Sequence, residues 1–180
     1  MYKTLDEFST KNNETFYSYT STSSVVLSQK ASRFWIPFDV KLFETLTPKE
    51  YLEKYCRVNS RRYALYKRTF DKYKDIEAEL NMEVLADALA DAYMGTIDNR
   101  LIRQVIVLLD LSSNEKITFT QFSGIAAFSE RYFFNIFTRF DDIDLQLQKD
   151  ILEILDFSSL KWKLSGVNIS PRLREILRLI

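Results

Sequence analysis

The chain is 180 residues long, with 25 Lys+Arg against 25 Asp+Glu, 46% apolar residues and no histidine. That length holds one domain with an extension, not two enzyme domains, and the balanced charge gives no general reason to expect a nucleic-acid or membrane-surface protein. Without histidine there is no Ser-His, Cys-His or imidazole acid–base chemistry and no His-containing zinc site, and three glycines leave no material for a Gly-rich phosphate loop.

The opening residues Met1 to Glu7 lack an apolar core, so no secretory leader is expected. The longest aliphatic run, Val105 to Leu109, is far short of the ~20 residues a membrane-spanning helix needs. Together with the single cysteine, Cys56, these features point to a reducing, cytoplasmic setting. Residues 1–45 read as an extended, poorly ordered N-terminal arm. Its first part is rich in Ser, Thr, Asn and Tyr, and residues 25–43 turn aromatic around Phe34-Trp35-Ile36-Pro37-Phe38. Trp35 and Phe38 are therefore either anchors in the core or contacts for a partner.

Residues 46–140 read as the helical domain. Thr47-Pro48-Lys49-Glu50 is a capping box with proline at the first helical position, so a helix starts at Pro48 and is expected to run to about Val58. From Ser60 the aromatics Tyr63, Tyr66, Phe70 and Tyr73 fall on one stripe, with basic residues including Arg61 and Arg62 largely off it. Asn81 caps a helix through Leu85, Ala88, Leu89 and Ala92, with Gly95 at its left-handed C-terminus. Asp98 or Asn99 caps another helix through Val105 and Leu108. A last long helix spans Phe119 to about Phe140. In residues 141–180, one helix is expected at 144–156 and another from Ser170-Pro171 to Ile180, packing on the domain.

Between the fourth and fifth helices of that domain lies Asp110-Leu-Ser-Ser-Asn-Glu-Lys-Ile-Thr-Phe-Thr-Gln121. This segment resembles the twelve-residue loop of the EF-hand superfamily of calmodulin-like proteins. Asp110, Ser112 and Asn114 match positions 1, 3 and 5, Lys116 offers the carbonyl of position 7, and Thr118 and Gln121 match positions 9 and 12. Ile117 matches the apolar residue that bridges to a partner loop, and Leu80 stands 37 residues upstream of it. The resemblance thus implies an all-α fold with a pair of degenerate helix–loop–helix units over about 60–135. The first loop, Tyr73 to Val84, lacks acids at positions 1 and 12 and is not expected to hold calcium. In the second, Glu115 replaces the usual glycine at a left-handed position, costing about 1 kcal/mol, and Gln121 replaces a bidentate glutamate. With Asp110 as the one charged ligand side chain, any calcium affinity falls at or beyond the weak end of the family's range, about 10⁻⁴ to 10⁻³ M.

Residues 1–74 carry 14 basic and 8 acidic side chains, leaving 11 and 17 for residues 75–180. The asymmetry implies either an internal electrostatic fit or a basic arm for an acidic partner surface; nucleic acid is disfavoured because the aromatics of the basic helix lie on one stripe. The helix from Phe119 is apolar on several faces, with Phe128, Phe133, Phe134 and Phe137 among its aromatics. Either the C-terminal helices cover it, or part of it is a groove for a partner helix. The cluster Asp141-Asp142-Ile143-Asp144 reads as a helix cap, and Cys56 as a structural, half-buried thiol. The sequence accordingly points to a non-enzymatic protein-interaction module or structural adaptor without a cofactor, of a kind that looks like the divergent EF-hands of cytoskeletal and ciliary assemblies. The alternative is a low-affinity calcium sensor whose 110–121 loop exposes a Phe-rich surface.

Overall fold

The first elements of the described residues are set by side-chain caps. Ser28 caps a 3-10 turn at Gln29–Ala31, strand β1 follows at Ser32–Phe34, and Asp39 caps a second 3-10 turn at Val40–Glu44. In this computed structural model, residues 27–137 and 149–180 are described. The expectations for residues 1–26, for the acidic stretch 141–144, for the last turn to Phe140 and for a helix beginning at 144 lie outside them. Helix α1, Pro48–Tyr55, begins with the expected capping box: Thr47 and Glu50 satisfy each other's backbone N–H groups. It stops three residues short of Val58 because Cys56–Val58 forms strand β2, antiparallel to β1 in the register Ser32↔Val58 and Phe34↔Cys56.

Helix α2, Ser60–Tyr73, is capped by Asn59, and α3, Met82–Ala92, follows Asn81, whose side chain makes no cap bond. Helix α4, Asn99–Leu108, is capped by Asp98. Helix α5, Phe119–Phe137, opens on the reciprocal hydrogen bonds of Thr118 and Gln121. Two-residue strands β3, Leu80–Asn81, and β4, Lys116–Ile117, pair antiparallel with Leu80 opposite Ile117. Helix α6, Ile151–Phe157, is capped by Asp150, so the helix expected over 144–156 does not run unbroken through that residue. A short α7, Leu160–Lys163, and α8, Pro171–Leu179, capped by Ser170, complete the chain. The fold is therefore mostly helical, with eight α-helices and two small two-stranded sheets among the described residues. No described helix is long and apolar enough to cross a membrane.

One hydrophobic core joins all these parts. Leu27, Phe34 and Phe43 from residues 27–46, the strap that leads into α1, Tyr66, Leu85, Ile102 and Phe122 from the helical domain, and Leu173, Ile176 and Leu177 from α8 are all buried in it. Helix α5 is the central element, packed chiefly against α1 and α2, with β2, the first 3-10 turn and α4 around it. Its many apolar faces are covered chiefly by α1, α2 and the strap, while the C-terminal helices reach it through Glu153, which pairs with Arg131, and through the Leu179 carbonyl, which accepts from Asn135 at 3.2 Å; α8 packs chiefly on α1 and α4. The contact between α1 and α5 is close. A Cβ at Gly124 would stand 2.6 Å from the carbonyl oxygen of Leu52.

Candidate functional site

The two loops joined by β3 and β4 are closed by side chains. In the first, the Asp75 carboxylate accepts the backbone N–H groups of Glu77 (2.9 Å) and Glu79 (3.0 Å), an Asx-type turn with Ala78 in the left-handed region at φ 61°. The ammonium of Lys116, reaching across from the second loop, then meets three carboxylates: Asp75 at 3.1 Å, Glu79 at 3.7 Å, and Glu77. The backbone bond from Glu79, with help from Lys116, lowers the Asp75 pKa, and Glu77 and Asp75 raise that of Lys116.

The second loop follows the same logic. Glu115 accepts the N–H of Ser112 at 3.2 Å and pairs with Lys49 of α1. Glu115 is not left-handed, contrary to the sequence expectation; the positive φ falls on Asp110, at 54°. The loop satisfies its backbone through the Glu115 side chain, so the strain moves to its first residue. Asp110, Ser112 and Asn114 are exposed, and the side-chain oxygen of Gln121 is committed to the Thr118 N–H while its amide donates to Glu53 at 3.2 Å. Among the described residues no group of three or more His, Cys, Asp or Glu side chains is arranged to hold a metal.

The partner-binding candidates separate by burial. Phe128, Phe133 and Phe134 are core residues, with Phe133 edge-on to Tyr93, so they form no open groove. Trp35 is half-buried, edge-on to Tyr55 at 6.1 Å. Phe38, Arg61 and Phe137 are exposed. Arg62 is tied to the buried Glu130 at 2.8 Å. Cys56 is partly buried, and burial pushes its thiol pKa up.

A buried ionic hub escaped the sequence reading. Arg131 of α5 pairs with Glu153 of α6 and donates to the carbonyls of Gln29 (2.9 Å), Ser32 (3.1 Å) and Ile180 (3.2 Å). Glu153 in turn accepts the N–H of Phe34 at 3.3 Å. One residue earlier, Glu130 accepts from the Tyr66 hydroxyl (2.6 Å) and from the Ser28 N–H (2.8 Å). Adjacent charges at 130 and 131 inside an apolar helix, and a lone glutamate in Ile-Leu-Glu-Ile-Leu, were the available clues. No protein-family model, curated protein or solved structure matches the chain.

Proposed function

We propose that the chain is a non-catalytic protein-interaction module or structural adaptor, built on a pair of EF-hand-like units whose loops are held by side chains in place of a metal. The observation that carries this reading is the loop pair itself. Leu80 and Ile117 pair at equivalent positions, 37 residues apart, and the Lys116 ammonium lies among the carboxylates of the opposite loop. A covalently fixed cation supplies the charge that a bound ion brings elsewhere, so the unit is a constitutive scaffold and not a switch. A setting in a cytoskeletal or ciliary assembly belongs to the same proposal, by analogy with divergent hands of this type.

Calorimetric titration with calcium and with magnesium, alongside thermal melts with and without millimolar calcium, tests the reading. The scaffold gives no calcium-selective heat and superimposable melts. A calcium-selective heat with a raised melting temperature, abolished by Asp110→Ala, overturns it in favour of a calcium sensor.

A further inference from the structure

Helix α6 is amphipathic in the wrong sense for a surface helix. It buries its carboxylate, Glu153, at 2% exposure, and turns Ile151 (73% exposed), Leu152 and Leu155 (60% exposed) to solvent. Helical geometry puts these three aliphatics on one face, opposite Glu153. Trp162 of α7, 79% exposed, is a further exposed aromatic close by in the chain, and α7 is held to α6 by Lys163, which donates to the carbonyls of Leu155 and Asp156. Bulky apolar side chains grouped in this way mark an interaction surface.

The other end of this face runs into charge. Lys149 and Asp150, immediately before α6, line a cleft of about 480 Å³ together with Lys30, Arg33, Arg57 and Asn59. Arg33 is offset by Asp150 and Asp156, at 3.8 and 3.5 Å. The side chains of Lys30 and Arg57 meet no acid among the described residues, and Lys149 donates only to the carbonyl of Ile180 at 2.8 Å. The surface therefore offers an apolar strip and, at one end, a concave basic site with spare cationic charge.

We propose that this face docks an amphipathic helix of a partner protein that carries carboxylates beside its apolar stripe. The stripe covers Ile151, Leu155 and Trp162, and the carboxylates enter the cleft to meet Lys30, Arg57 and Lys149. This deepens the reading of the chain as an interaction module, and rests on it, by naming the chemistry of the partner. The concave cleft with Asp150 in its wall fits discrete carboxylates better than a flat anionic membrane.

The test uses the full chain and a fluorescently labelled synthetic helix with Leu at i, i+3, i+4 and i+7 and Glu on its flanks, compared with an isomeric helix bearing Lys in place of Glu. Anisotropy and the emission of Trp162 report binding. The Glu helix binds with a salt-dependent affinity and the Lys helix binds at least about ten-fold more weakly. Leu155→Ser combined with Trp162→Ser, and separately Arg57→Glu, each weaken the Glu helix at least about ten-fold with unchanged melting temperature, because exposed positions contribute little to folding. The proposal is overturned by equal affinity for the two helices, by no binding of the Glu helix, or by binding insensitive to these variants. It is equally overturned if vesicles containing phosphatidylserine bind in place of the helix, or if sedimentation shows a dimer that the Leu155 and Trp162 substitutions abolish. The charge comparison on the wild-type chain stands even if a variant misfolds. Affinity that rises with calcium, yet still depends on Leu155 and Trp162, overturns the metal-free scaffold and leaves the docking surface standing.

Discussion

At the scale of single residues, Arg131 does the most to join the parts of the chain. Its guanidinium is buried, pairs with Glu153, and satisfies carbonyls from the strap and from the end of α8. A buried ion pair gains little over a well-packed apolar pair, but losing one partner strands the other charge. Arg131→Ala is accordingly expected to cost about 3–5 kcal/mol in urea unfolding, and adding Glu153→Leu to it recovers part of that loss. Equal stability of the single and double variants would rule out the stranded charge as the cause. Glu130 makes a different prediction. Burial raises its pKa, and the donors Tyr66, Arg62 and Ser28 offset this only in part. The folded protein thus binds this proton more tightly than the unfolded chain does. The associated stability is complete below the unfolded carboxyl value of about 4.3 and is lost as the pH rises through the folded value. Glu130→Gln cannot ionise, so unfolding measured across a pH series should show the variant gaining on the wild type as the pH rises. A difference independent of pH would contradict the raised value.

At the scale of elements, the local signals that need only a few neighbouring residues were legible in the sequence. Thr47-Pro48-Lys49-Glu50, Thr118 with Gln121, and Ser170-Pro171 begin helices where their hydrogen bonds dictate. The unread features depend on distant partners. Helix α1 ends at Tyr55 because Cys56–Val58 meets Ser32–Phe34, and no pattern within either triplet announces that pairing. The buried face of helix α6 was hidden for a related reason: an apolar helix is ordinarily assigned its aliphatic side as the inner one, and here the buried partner of Glu153 lies 22 residues upstream. The approach of α5 to α1 at Gly124 is equally non-local. Gly124 lets α5 approach the backbone of α1 at Leu52, and the obstructing atom is a backbone carbonyl that no rotamer change can remove. Gly124→Ala should therefore destabilise by about 1–3 kcal/mol in thermal or urea melts. An unchanged melt would mean that the two helices can separate freely.

At the scale of the whole molecule, part of the charge asymmetry is met within the fold. The basic first segment reaches the acidic second segment through Arg33 with Asp150 and Asp156, Lys49 with Glu115, Arg62 with Glu130, and Lys72 with Asp91. These contacts differ in their exposure to solvent. Glu130 is buried, whereas Arg33, Lys72 and their partners are open to water and counterions. The Debye length falls from about 10 Å at 0.1 M salt to about 3 Å at 1 M, and the screening weakens exposed pairs far more than buried ones. Molar sodium chloride should consequently lower the melting temperature by no more than a few degrees, because Glu130 and the Arg131–Glu153 pair keep the strap, α2, α5 and α6 together. The comparison with sodium sulfate separates causes, since sulfate screens charge and also strengthens apolar burial. A small loss in chloride with a net gain in sulfate is the expected pattern for a fold held by its core and tied by buried ions. Cooperative unfolding in chloride alone would instead place most of the stability in the exposed pairs, and the two charged segments would then be held together mainly by their opposite charge.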